Sequence, residues 1–357
     1  MTRTTARSLA GGLAVLSLLA VPAAADAKTV KGLQDDNMML SEDASLRQQF
    51  FTDAKASKTR TVRVLINHVQ NTTTPDPVRI AKIRRAAEEG RSYGVKLLVA
   101  SYVRFGEGKK AGARVPASTQ SDYVLYMGEV AKQLADLPLA GYLTFNEPNY
   151  KIAWPSKRER DWVKLSNRVY KQIKKNDRGA KVLVGEAAPN TRSGDAASNP
   201  GAFFRKALYL DSKFKPTSRS KAARTKLLGD GFTLHTYDFV RSPTKTTKNK
   251  DAWTHGNLKT TVAQIKSLAR AKRLSSTAAR NIHITEFAYR TEGSLKTPDS
   301  RAASYLKSAF ASAKRYGIKT FIWYQLRDPQ GKADWKSGLK SADGASRRTW
   351  TTFRRLK

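Results

Sequence analysis

Two glutamates stand where an apolar run gives way to polar chain. Gly141-Tyr142-Leu143-Thr144-Phe145 runs into Asn146-Glu147-Pro148-Asn149, and Ile282-His283-Ile284-Thr285 runs into Glu286-Phe287. If both runs are strands ending at one rim, the two carboxyls can flank whatever lies between them. Such a pair can divide the cleavage of a glycosidic bond with retention. One carboxyl, protonated, assists the leaving oxygen; the other, ionised, attacks the carbon, and the two stand about 5 to 5.5 Å apart. Taken singly, Glu147 before Pro148 is also a plausible turn residue and Glu286 a strand-end carboxylate paired with a cation. It is their joint placement that points to catalysis.

Other polar groups fall near the same ends. Arg63 sits early in the run Val62-Asn67, where it either bridges a carboxylate in the lower sheet or holds one of the two acids. His235 and Tyr237 flank Thr236 and so share one face of an extended segment, as a site wall or as a hydrogen-bonded core pair. Glu186 ends the run Lys181-Ala187 and is read as a hydrogen-bonding group or the partner of a cation, not as the nucleophile. Asp35 and Asp36 are read first as caps of the helix that follows them. Trp323 is either a core filler or a sugar platform, and Trp154, Trp253 and Trp335 are further candidate platforms. The four histidines, His68, His235, His255 and His283, show no metal-binding spacing, so neither a catalytic metal nor a cofactor is expected. The absence of cysteine excludes disulfides, a thiolate metal site and a cysteine nucleophile.

The elements that must position these residues recur as short β-branched runs separated by amphipathic stretches. Strands are expected at Val30-Gln34, Val62-Asn67, Val95-Ser101, Ala140-Asn146, Lys181-Ala187, Gly231-Thr236, Ile282-Glu286 and Thr320-Gln325. Helices are expected at Pro77-Tyr93, Ser121-Asp136, Lys157-Lys175, Asn257-Lys272 and Ser300-Tyr316, with Gly94 and Gly317 as left-handed caps leading into strands. Patterning is poorest over Ser41-Lys55 and over the polar stretch Arg241-Asp251. Eight alternating units in one chain close most economically into an α/β fold of the single (β/α)8 TIM barrel type, whose catalytic groups sit at the C-terminal strand ends. An open doubly wound sheet would use the same elements, but no glycine-rich phosphate loop follows any strand.

Residues 1-27 are read as a signal peptide. Arg3 and Arg7 precede an apolar run, Leu9 to Val21, that ends in Pro22-Ala23-Ala24-Ala25-Asp26-Ala27. The expected mature chain, 28-357, is then a single exported domain, monomeric and without a membrane span. Lys and Arg number 66 against 29 Asp and Glu, a formal charge of +37. The cations are scattered and not gathered into one tract with interleaved aromatics. They predict non-specific adhesion to anionic cell-envelope polymers and argue against a dedicated nucleic-acid site.

Asn146-Glu147-Pro148 paired with Thr285-Glu286-Phe287 resembles the glycoside hydrolases of clan A. The longer string Phe145-Asn146-Glu147-Pro148-Asn149, followed by Trp154, is most similar to family 39. The resemblance implies Glu147 as acid/base, Glu286 as nucleophile and Asn146 on the sugar 2-hydroxyl. It places Arg63 and Tyr237 on the nucleophile, His235 beside them and Trp323 under the sugar. A carbohydrate substrate follows, either a cell-envelope or a plant-type polysaccharide or oligosaccharide. The Arg104-Pro116 and Asp238-Asp251 loops, rich in Lys, Arg and Gly, are expected to line the mouth and to favour an acidic glycan. The competing expectation is a non-catalytic cationic barrel that binds anionic envelope glycan.

Overall fold

The computed structural model describes residues 29–191, 194–333 and 335–357; the leader expected at 1–27 lies outside them. Eight strands, β1 (Val30–Gln34), β2 (Thr61–Asn67), β3 (Lys96–Tyr102), β4 (Gly141–Leu143), β5 (Val182–Ala187), β6 (Gly231–His235), β7 (Ile282–Phe287) and β8 (Thr320–Tyr324), pair in sequence order. All pairs are parallel, and β1 also pairs with β8, so the sheet closes. The fold is a single (β/α)8 barrel. Each strand is buried on both faces, which is why its sequence reads as a nearly continuous apolar run.

The bounds follow the sequence closely except at β4, whose regular ladder stops at Leu143. Beyond it the chain still bonds sideways, Asn146 N–H to Ser101 O and Glu147 N–H to Glu186 O, both at 2.9 Å, but no longer as a strand.

The five expected helices occur at Pro77–Ser92, Ala117–Leu134, Glu159–Asn176, Leu258–Arg270 and Asp299–Arg315. Gly94 at φ 69° and Gly317 at φ 71° make the left-handed exits that free the chain to enter β3 and β8. The poorly patterned first unit does form a helix, Ala44–Ala56, because Asp43 caps it by accepting from Ser45 N–H. Asp35 caps as expected, accepting from Met38 N–H. Three shorter helices, Pro200–Ala207, Ser276–Arg280 and Arg348–Arg355, were not legible. The last of these ends under the barrel, where Lys31 Nζ donates to the carbonyls of Phe353 and Leu356 at 3.0 Å.

Packing divides into two layers. The large core lies between strands and helices, with Val62, Val64, Leu97, Val99, Phe321 and Trp323 on the outward strand faces. Inside the barrel Leu98, Ala100, Leu143, Leu183 and Ile322 form a separate small cluster. Gly32 leaves the space that cluster needs: a Cβ there would stand 2.6 Å from Ile322 Cγ1 and 2.9 Å from Thr61 O. The rest of the interior is polar. Gln34, Arg63, Glu186, Thr233, His235 and Thr285 come from five strands and are all buried. Hydrogen bonds join Arg63 to Gln34 and Glu186, and Glu186 to Thr233 and Thr285; the bond from Arg63 on β2 to Glu186 on β5 spans the barrel interior. Among the described residues no helix is long and apolar enough to cross a membrane.

The small interior cluster has few neighbours to refill a void. Ile322→Ala is expected to destabilise the fold by roughly 2–5 kcal/mol, whereas Val78→Ala, at an exposed position, should stay within about 0.5 kcal/mol. Urea midpoints of the two variants against the parent protein check the difference.

Candidate active site

The polar interior rises to the C-terminal rim through irregular backbone. Glu147 and Glu186 both adopt left-handed conformations, φ 44° and 54°, which non-glycine residues hold only when their surroundings impose it. The two are tied to each other through the Glu147 N–H to Glu186 O bond. The loops that follow them are laced by Asn149, whose Nδ2 donates to Ala188 O and Ser198 O at 2.9 Å while its Oδ1 accepts from Ala188 N–H at 2.7 Å. On the opposite side, register shifts interrupt β6 against β7 at Leu234/His235, and β7 against β8 between Ile284 and Phe287. Such a bulge turns successive side chains to one face. Thr285 and Glu286, which would alternate in a regular strand, therefore both reach the interior network.

Glu147 and Glu286 meet over this base. One carboxylate oxygen of each, with a ring nitrogen of His235, lie within 4.8 Å of one another. Glu286 accepts from Arg63 Nη1 at 2.6 Å through one oxygen and from the Tyr237 hydroxyl at 2.8 Å through the other. Arg63 also donates from Nη1 to Gln34 Oε1 at 2.7 Å, and from Nη2 to Asn146 Oδ1 at 2.6 Å and Glu186 Oε2 at 2.5 Å. His235 Nδ1 is 2.9 Å from Glu147 and 3.5 Å from Glu286; its Nε2 is 3.3 Å from Glu186.

These surroundings separate the three acids. Burial pushes the Glu147 carboxyl up, against the hydrogen bond and charge of His235, with the Glu286 charge adding to the rise. Burial would also raise Glu186, but Arg63 and His235 overrule it and hold that carboxyl at about 2. For His235 burial works against the charged form, yet the Glu286 and Glu186 charges and the hydrogen bond to Glu147 prevail and lift it to about 10. Tyr237 is pushed well above its ordinary value by burial and by the Glu286 charge, so it stays a donor. Glu147, His235 and Glu286 are close enough to embrace a cation. An imidazolium, however, has no lone pair to give, and the donor set fits a shared proton better than a metal.

A cleft of about 550 Å³ opens above, with Asn146, Glu147 and Glu286 in its floor and Tyr102, Tyr150, Tyr237, Phe239, Tyr324 and Trp335 among its walls. Aromatic faces around a few polar groups suit sugar rings. A second cleft, of about 480 Å³, opens at the other end of the barrel against Thr61, Lys96 and His283, but no pair of carboxyls faces it.

Asn146, Glu147, Tyr237 and Glu286 thus line the cleft, while Arg63 and His235 lie buried beneath and touch the acids. Three expected platforms need correction. Trp323 is 1% exposed, packs on Phe287 at 5.9 Å and donates its indole N–H to Ser337 O, because on β8 it points outward; Tyr324, one residue on, faces the cleft in its place. Trp154 is 2% exposed, packed against Phe105 and Phe145, with its indole N–H given to Arg158 O. Trp253 is likewise buried, stacked on Phe204 at 5.1 Å. Trp335 does reach the cleft, edge to face with Tyr237 at 5.2 Å. Of the two basic loops, Asp238-Asp251 contributes Phe239, whereas nothing from Arg104-Pro116 lines this cleft. Tyr324 shares the face of the inward Ile322 two residues before it, but the sequence alone does not say whether Phe321 or Ile322 points inward.

No protein-family profile and no curated protein matches the chain. Solved structures do match it in fold. XacCel5A in complex with cellopentaose superposes with a TM-score of 0.59 at 15% identity, over 92% of this chain and 98% of that one. GH5_18 from Streptomyces cattleya in complex with Manβ1-4GlcNAc gives a TM-score of 0.62 at 13% identity, over 92% and 79%. The cellulose synthase subunit Z from Clostridioides difficile gives 0.58 at 13%, over 91% and 99%. This chain has the same barrel as these proteins.

The elevated His235 makes a pH prediction. Its folded value of about 10 lies above the ordinary 6.5, so the stability it contributes is complete below about pH 6.5 and is lost as pH rises towards 10. His235→Gln is expected to flatten the fall in melting temperature between pH 7 and 10. An unchanged slope in thermal melts across that range would remove His235 as the cause.

Proposed function

We propose that the protein is a retaining glycoside hydrolase with Glu286 as nucleophile and Glu147 as acid/base. The observation that carries this is the pair of carboxylates from β4 and β7, with oxygens within 4.8 Å and opposite surroundings: Glu286 is fed by two donors, Glu147 is driven towards its protonated form. In the first step Glu286 attacks the anomeric carbon, the bond to the leaving oxygen breaks, and the Glu147 proton passes to that oxygen. In the second, Glu147 takes a proton from water, whose oxygen attacks the same carbon and displaces Glu286. Arg63 and Tyr237 orient the nucleophile, Asn146 is held by the same Arg63 and lines the cleft with both acids, and Tyr324 and Trp335 offer platforms to the sugars.

Clan A machinery supports this reading. Family 39 rests on the strings around Asn146-Glu147-Pro148 alone, and the similar structures whose names carry a family designation point to family 5 instead. β-Linked oligosaccharides like those bound in two of the matched structures are the first substrates to try. Export is proposed from residues 1–27, and N-terminal sequencing of secreted protein beginning near Asp26 or Lys28 is the expected result. The second reading, a cationic barrel that only adheres to anionic envelope glycan, draws on the charge of +37. It requires cell-wall binding that salt abolishes and that Glu147→Gln leaves unchanged.

Glu286→Ala should lower kcat/KM by roughly 10⁴-fold or more. Glu147→Gln should lose about 10²- to 10⁴-fold on natural glycosides, yet keep most of its kcat/KM on dinitrophenyl glycosides, whose leaving group needs no proton. Equal losses on both substrate classes would take the acid role away from Glu147.

A further inference from the structure

Glu186 is the carboxylate of the site that the proposed reaction does not use. It ends β5, is fully buried and does not line the cleft. Its environment is nonetheless dense. From β2, Arg63 Nη2 donates to it at 2.5 Å. From β6, His235 Nε2 stands 3.3 Å away, close enough for an ion pair though not aligned as a hydrogen bond. From β7, the Thr285 hydroxyl donates to its other oxygen. The remaining titratable groups around this knot are Glu147 after β4, Tyr237 after β6, Glu286 on β7, Tyr324 on β8 and Asp36 after β1, which faces Arg63.

Counting charges in this enclosed cluster gives a result that two catalytic acids alone would not. Arg63 and an imidazolium at His235 supply two positive charges. Glu186 and Glu286, each in contact with Arg63, supply two negative ones. The cluster is then neutral when the third carboxyl, Glu147, holds a proton. Without the Glu186 charge, the two cations would face Glu286 alone, and balance would return either by ionising Glu147 or by stripping the proton from His235. Burial makes a net charge here costly, so one of these must occur.

We propose that Glu186 is a positioning residue that assigns the site's proton: its buried negative charge completes the balance of Arg63 and His235 and so keeps the proton on Glu147. It acts through those two residues and touches no substrate. The inference rests on the glycosidase reading for its kinetic consequence, but the location of the protons is a property of the resting protein.

The test is the isosteric variant Glu186→Gln, with Glu186→Asp as the charge-conserving control. The alkaline limb of the kcat/KM profile on a natural-type glycoside should move to lower pH by about one unit or more in Glu186→Gln, the direction expected when a like charge is removed from the surroundings of a carboxyl. It should return close to the parent position in Glu186→Asp. A limb that does not move in Glu186→Gln overturns the proposal. Independently of turnover, ¹⁵N-histidine NMR of the parent protein should find His235 doubly protonated at pH 7, and in Glu186→Gln its titration or that of Glu147 should fall. A neutral His235 in the parent overturns the proposal even if Glu186→Gln does not fold. Should the protein hydrolyse no glycoside while the NMR shifts appear, the glycosidase reading fails and the charge assignment stands.

Discussion

The buried guanidinium of Arg63 is the constraint around which the barrel interior is arranged. A cation wholly removed from water costs several kcal/mol unless its donors are met by acceptors and its charge by anions. Here four acceptors, Gln34, Asn146, Glu186 and Glu286, converge on it from β1, the end of β4, β5 and β7. Four of the eight strands are thereby fixed in height and azimuth relative to β2 by one side chain. Because the planar fork sends Nη1 towards Gln34 and Glu286 and Nη2 towards Asn146 and Glu186, it also determines which oxygens of the acids are left to face the cleft. Lysine, a point charge on a flexible stem, could supply the charge but not the fork.

The strained and irregular backbone is found where this convergence demands it. A regular strand offers only every second residue to the interior, yet Asn146 and Glu147 both serve the site, as do Thr285 and Glu286. Left-handed turns at Glu147 and Glu186 and the register shifts of β7 supply the extra inward side chains. Below this zone, where nothing but packing is required, the interior returns to Leu98, Leu143, Leu183 and Ile322 and the strands are regular. The apolar layer and the strained layer have different tasks. One supplies stability, and the other is held in place by it.

That division also decides what could be read from sequence. All eight strands, the five long helices and both glycine caps were visible because each obeys a local rule of period or cap. The two glutamates proposed for catalysis were visible because strand ends are where barrel chemistry sits, and Arg63, His235 and Tyr237 followed from the resemblance. What could not be read was set by non-local contact. Trp154 and Trp253 look from composition like sugar platforms but fill the layer between strands and helices. Trp323 and Tyr324 are adjacent, and only the register of β8 against β1 says which of them faces inward. From sequence Glu186 reads as a hydrogen-bonding group or a cation's partner, with nothing to say which cation. Its connection to Arg63, Thr285 and His235 appears only when the barrel closes.

The cationic surface and the buried site act at different ranges. A formal charge of +37 raises the local concentration of any polyanion and speeds its encounter, an effect that salt screens with a length of about 8–10 Å. The acids at the base of the cleft are governed by partners 2.5 to 3.5 Å away, with Arg63, His235 and Glu186 fully buried beneath them. Surface lysines and arginines bear on any encounter with a polyanion, whereas Arg63 and His235 are in direct contact with the acids. The same separation explains how a carboxyl in so basic a chain can be shifted upwards: the elevation of Glu147 comes first from burial, then from the Glu286 charge beside it, and no distant surface cation is among its main causes.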